Sequence, residues 1–178
     1  GPRAAMQPWS PPPAERPRGR RRRARVTRVT DQLCVGGLGG GLTSEAIEVV
    51  LQEYAVTHLV VCGHKGADAH VAAAEGAAQA CGAEVHVSPL VPADASQLAA
   101  LLDQARAFVA AALSDDLNCV LVACSKGASR SVAVVLAHLM VALDLGLEDA
   151  FDLVARLRWR VWPSALLVEG LLGVGDRL

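Results

Sequence analysis

The sequence predicts an α/β protein with a mostly parallel central sheet of about five strands flanked by helices. Three observations lead there. Short β-branched or apolar runs alternate with stretches of helical periodicity, the pattern of strand–helix–strand units. Val120, Leu121, Val122 and Ala123 form an uninterrupted apolar run, as expected of a strand buried on both faces. The 178 residues are 52% hydrophobic but only 3% aromatic, so one domain is expected with a core of Leu, Val and Ala.

Residues 1–25 are a different material. Pro2, Pro8, Pro11, Pro12, Pro13 and Pro17 forbid regular structure, and Arg16, Arg18, Arg20 to Arg23 and Arg25 make a basic block. Eight arginines against Glu15 give this stretch +7, so the remainder carries −8 to reach the overall −1. The stretch is read as a disordered Pro/Arg-rich tail, with the folded domain over 26–178. The tail is either a solvated segment or a patch for nuclear import or an acidic partner. Nucleic-acid binding is not expected, because no aromatic residue interleaves the arginines.

The folded part then reads in order. Val26–Thr30 and Gln32–Val35 are strands meeting near Asp31. The glycine run from Gly36 to Gly41 is a turn; no helix-entering Gly-Lys-Ser/Thr follows, so it is not a nucleotide loop. Thr43 or Ser44 caps a helix through Tyr54 that turns Ile47, Val50 and Leu51 to one face. Thr57–Cys62 is a central strand. Ala69–Ala80 is a helix stopped by Gly82. Val85–Val91 is a strand, and Ser96–Leu113 a long helix with Leu98, Leu101, Leu102, Ala105, Phe108 and Val109 inward. After the strand at 120–123 a helix starts near Ser131, and Asp149–Arg158 and Ser164–Val174 close the chain.

The seven residues from Cys124 to Arg130 carry the chemistry. A loop that ends at a helix start aims backbone N–H groups at one spot, where the helix dipole adds about half a positive charge. The planar fork of Arg130 grips two oxygens of a phosphate. Cys124 sits at the mouth, where the same field favours thiolate over thiol. A thiolate facing an anion cradle is a nucleophile aimed at phosphorus. For Cys124 alone a small buried hydrophobe is the simpler reading; Gly127, Ser129, Arg130 and Ser131 in register outweigh it.

Cys124-Ser-Lys-Gly-Ala-Ser-Arg130, followed by Ser131, resembles the Cys-five-residues-Arg motif of the protein tyrosine phosphatase superfamily. Ser129-Arg130-Ser131 and Ala137-His138-Leu139-Met140 resemble its dual-specificity branch, and the small atypical dual-specificity phosphatases in particular. The resemblance extends to Leu33-Cys34-Val35-Gly36, to Thr57–Val61 and to Trp162-Pro163-Ser164, and runs from about Val26 to the C-terminus. It implies hydrolysis of phosphotyrosine and phosphoserine or phosphothreonine on proteins through a cysteinyl-phosphate intermediate. It assigns the phosphate cradle to Ser125, Lys126, Gly127, Ala128, Ser129 and Arg130, and to Ser131 a hydrogen bond that eases departure of the sulfur. Ser129 is expected to shape the loop. Lys126 either adds positive potential for the substrate or is a solvated surface lysine.

The reaction also needs a carboxylic acid to protonate the leaving oxygen. Asp94, in Val91-Pro-Ala-Asp-Ala-Ser96, is the leading candidate; aligned without a gap it falls two residues late. It is therefore either the acid on a shortened loop or the start of the long helix. Asp68 is a weaker candidate for the acid. Two further departures are Ala123, where the family carries a His before the nucleophile, and the shortage of aromatic residues for a phosphotyrosine pocket. His64 is the nearest ring, and Trp159 and Trp162 are expected to pack in the core or rim. The alternative function is a pseudophosphatase that binds phosphoproteins or scaffolds kinases without efficient turnover.

No cofactor and no metal site are expected. His58, His70, His86 and His138 lack ligand spacing and read as structural. Five cysteines, odd in number, suggest free thiols in a reducing compartment. Cys62, Cys81 and Cys119 either pack in the core or include a partner for an oxidised Cys124. With no apolar run near the ~20 residues of a membrane span and no apolar signal segment, a cytoplasmic or nuclear location is expected.

Overall fold

A computed structural model describes residues 26–90 and 94–176. The Pro/Arg-rich stretch, and Val91 of the strand expected over Val85–Val91, lie outside the described residues. Five strands form one sheet in the order β1-β2-β5-β3-β4: β1 (Val26–Arg28), β2 (Leu33–Gly37), β3 (His58–Cys62), β4 (Glu84–Ser88) and β5 (Val120–Cys124). Only β1–β2 is antiparallel, as a tight connection through Asp31 requires. The β2–β5, β5–β3 and β3–β4 pairs are parallel.

Side-chain alternation along the sheet builds two cores. Leu33, Val35, Val60, Val120, Val122 and Cys124 face one way, against helices α3 (Ala95–Ala112), α4 (Arg130–Ala142), α5 (Leu147–Leu157) and α6 (Ala165–Gly175). Cys34, Leu59, Val61, Leu121 and Ala123 face the other, under α1 (Ser44–Glu53) and α2 (Ala69–Cys81). A sheet covered on both faces needs apolar residues at every position of its central strand, which is why β5 reads as a continuous run. Val132 to Ala137 of α4 are all fully buried, so this helix is apolar nearly all round.

The expected elements are present, most with ends displaced by one or two residues; β4 stops at Ser88, three short of the expected Val91. The largest extension is β2, which continues through Gly36 and Gly37 rather than stopping at Val35. Those glycines pair with Ala123 and Cys124. The glycine run is thus partly a strand that lies against the start of the Cys124 loop. A Cβ on Gly37 would stand 2.7 Å from the Lys126 carbonyl carbon, so the close approach requires glycine. Leu38 N–H and Gly39 N–H continue the contact, donating to the carbonyls of Cys124 and Ser125 at 2.9 and 2.8 Å.

Gly127 faces the same seam from the other side. Its φ is +66°, and an added Cβ would stand 2.4 Å from the Gly36 carbonyl carbon. Gly127→Ala is expected to lower stability by about 1–3 kcal/mol, with Tm falling roughly 2–4 °C per kcal/mol. An unchanged melting curve for this variant would show that the seam has room for a methyl group.

Candidate active site

The site forms at the carboxyl end of β5, between its neighbours β2 and β3, where open α/β sheets place their ligand crevices. β5 delivers Cys124 and α4 begins at Arg130, so the five residues between them turn around the positive end of a helix. Cys124 is 3% exposed. Its Sγ lies 3.1 Å from Ser131 Oγ and accepts the Gly127 N–H at 3.1 Å. Burial pushes the thiol up, but the Ser131 hydroxyl and N–H, the Gly127 N–H and the charge of Arg130 outweigh it, and the net shift is down.

Ser129 is the N-cap residue of α4 without capping it. Its Oγ instead accepts the Ser164 N–H at 3.3 Å, tying the loop to the start of α6. Lys126 is exposed and Ser131 fully buried. Ala123 is also fully buried, but on the opposite face, in the apolar cluster under α1 and α2. No polar side chain at 123 supports the loop, and Ser131 and Gly127 supply the hydrogen bonds to the sulfur.

Arg158, which the sequence reading placed at the end of a helix and gave no role, lies under the loop. It is 7% exposed; its Nε donates to the Gly127 carbonyl at 2.8 Å and its Nη1 to Thr27 Oγ1 at 2.9 Å. Burial lowers its pKa, partly opposed by Cys124, yet a guanidinium stays protonated. It brings a buried positive charge to the loop's carbonyl side. The only hint in the sequence is an arginine just past an amphipathic helix, and arginines commonly stand there for the helix dipole alone.

The irregular segment that follows Arg158 rims the loop. Trp162 N–H donates to the Ala128 carbonyl at 2.7 Å, and the residue is 49% exposed. It belongs to the rim and not to the core. The Arg160 guanidinium sits over the Trp159 ring at 5.1 Å. His64 is exposed, and its backbone N–H donates to Asp68 Oδ2 at 2.6 Å.

Asp94 is the N-cap of α3: its exposed carboxylate accepts the Gln97 N–H at 2.7 Å. Asp68 stands beside Arg130, with Oδ2 3.8 Å from Nη1. Of the three cysteines considered as partners of Cys124, Cys62 is the one beside it, at the end of β3 where Val61 pairs with Ala123. Burial, then the Cys124 charge, push the Cys62 thiol up. Cys119 lies at the other end of β5 and Cys81 ends α2. Among the described residues no three His, Cys, Asp or Glu side chains cluster to hold a metal, and no helix is long and apolar enough to cross a membrane.

Comparison with known proteins places this geometry. Residues 42–176 match the family model described as the dual-specificity phosphatase catalytic domain. Human dual specificity protein phosphatase 9 is 44% identical over 76 residues, which cover 42% of this chain and 19% of that protein. The chain therefore matches about a fifth of that relative's length. Human DUSP28 superposes with a TM-score of 0.67 at 26% identity, over 87% of this chain and 95% of that one. The PTPMT1 complex with PI(5)P shares the fold, with a TM-score of 0.69 at 16% identity over 86% and 96% of the two chains. With a buried thiol, an arginine and main-chain amides converging at the end of β5, and a family model matching three-quarters of its length, this chain belongs to the dual-specificity phosphatases of the cysteine-based protein tyrosine phosphatase superfamily.

Proposed function

We propose that the chain hydrolyses phosphate esters on proteins, phosphotyrosine and phosphoserine or phosphothreonine alike, through a cysteinyl-phosphate intermediate. The observation that carries this reading is the Cys124 sulfur held between Ser131 Oγ and the Gly127 N–H, with its pKa lowered. A thiolate is the form that attacks. In the first step sulfur bonds to phosphorus, the ester P–O bond breaks, and the leaving oxygen takes a proton from Asp94. In the second, water loses a proton to Asp94 and attacks phosphorus. The S–P bond then breaks, and the departing thiolate keeps the Ser131 hydrogen bond. Arg130 and the amides of 125–130 hold the non-bridging oxygens throughout. The partners are phosphorylated proteins in the cytoplasm or nucleus.

A second reading has its own support. The Asp94 carboxylate is engaged in capping α3, and Ala123 gives the loop no polar side chain. A domain that kept the cradle without a working acid would bind phosphoproteins, or a kinase, as a pseudophosphatase.

Hydrolysis of a small aryl phosphate near pH 6 separates the two. The intact chain is expected to turn over and Cys124→Ser to be inactive; equal rates would sink the enzyme reading. The pH profile follows from the sulfur. Because the folded thiol ionises below its ordinary value, kcat/KM is expected to rise with pH only up to that lowered pKa. Ser131→Ala removes the largest stabiliser of the thiolate and should move the rising limb to higher pH; a limb that stays put would assign the lowered pKa elsewhere.

Asp94→Asn distinguishes acid from cap, because Asn caps a helix about as well as Asp. The acid role predicts a loss of about 10²–10⁴-fold on alkyl phosphates, whose leaving groups are poor, and a much smaller loss on nitrophenyl phosphate. Equal slowing of both substrates would leave Asp94 only its structural place.

A further inference from the structure

Asp68 stands where a helix-capping residue belongs, at the start of α2, yet its side chain makes no capping bond. Its Oδ2 instead accepts the His64 N–H at 2.6 Å and lies 3.8 Å from Arg130 Nη1. The β3–α2 loop is braced in that shape. The N–H groups of Ala67 and Asp68 donate to the His64 carbonyl at 3.2 and 2.9 Å. His70 Nε2 lies 3.0 Å from the Cys62 carbonyl oxygen, and Lys65 Nζ pairs with Glu75 Oε1 at 2.8 Å. β3 and β5 are neighbours in the sheet, so this loop and the Cys124 loop leave it side by side. Between the β3–α2 loop and Gly39 to Leu42 opens a cavity of about 270 Å³ that reaches Ser125, with Asp68 on its wall.

The His64 N–H, against partial desolvation and with help from Arg130 and the nearby histidines, holds the Asp68 carboxyl below the usual carboxylate range. It is ionised at neutral pH. Two opposite effects of that charge remain. It repels an incoming phosphate, and it restrains the guanidinium that must receive one. Arginine side chains lose substantial rotamer freedom on binding, and a bidentate grip on phosphate needs the fork in one plane. The Arg130 side chain is 27% exposed, so solvent leaves it room to swing away.

We propose that Asp68 is a positioning residue, which rests on the phosphate-binding reading of the Cys124 loop: its carboxylate orients the Arg130 fork toward the cradle, and this outweighs its repulsion of the phosphate. Asp68 thereby acts on the strength of oxyanion binding through Arg130 and touches neither the leaving group nor the sulfur.

The test uses the full chain carrying Cys124→Ser and measures tungstate binding by calorimetry, so that turnover is not required. Asp68→Asn is expected to weaken tungstate binding about tenfold, the size of one charge-assisted contact. In an Arg130→Lys background, which has a point charge and no fork, Asp68→Asn is expected to change little, as a double-mutant cycle will show. Unchanged or tighter binding in Asp68→Asn would overturn the proposal, since repulsion would then dominate. The same loss in both backgrounds would also overturn it, because the loop's shape and not Arg130 would be the cause. If Asp68→Asn melts early, Asp68→Ser, a good cap without the charge, repeats the measurement under the same criteria. Absence of tungstate binding in the Asp68-intact chain would overturn the cradle itself, and this proposal with it.

Discussion

A sulfur anion inside a protein must be met by donors, or it takes up a proton. Cys124 is 3% exposed, and burial alone would keep it a thiol. Four things reverse that here: the Ser131 hydroxyl, the Ser131 N–H, the Gly127 N–H and the charge of Arg130 at the start of α4. All four depend on the backbone turning tightly between β5 and α4. The turn in turn depends on a left-handed glycine at 127 and on β2 running close along its flank. The thiolate, the cradle and the glycine seam are one structural unit.

That unit is held from three directions. Leu38 and Gly39 bind it from β2, Ser164 and Trp162 from the segment before α6, and Arg158 from beneath. The contacts from Leu38, Gly39, Arg158 and Trp162 go to loop carbonyls, while the N–H of Gly127 goes to the sulfur. A loop whose carbonyls are satisfied outward is left with its amides inward, which is the polarity an oxyanion requires. Arg158 contributes to this arrangement without being part of the cradle. Its charge is desolvated, and it donates to the Gly127 carbonyl and the Thr27 hydroxyl.

Ala123 takes on a different meaning in this setting. Strand alternation sends residue 123 to the α1/α2 side and Cys124 to the α4 side. An alanine there packs against Leu121, Val61 and their neighbours at no polar expense. The hydrogen bonds to the sulfur come instead from Gly127 and from the first turn of the helix that follows it.

Much was legible from the chain alone. The α/β class followed from alternating periodicities, and the cradle from seven consecutive residues, because a strand–loop–helix site is local in sequence and its chemistry travels with it. Ser131, whose hydrogen bond to the sulfur the family resemblance implied, stands one residue beyond Arg130 in the first turn of the same helix. What only the tertiary structure decided involves residues far apart along the chain. Arg158 reaches Gly127 across 31 positions, Asp68 reaches Arg130 from a different loop, and Gly37 owes its identity to the Lys126 backbone of the Cys124 loop. No local pattern encodes such contacts. They arise when parallel pairing of β2, β5 and β3 sets three loops side by side at one edge of the sheet, and close packing there selects which side chains fit.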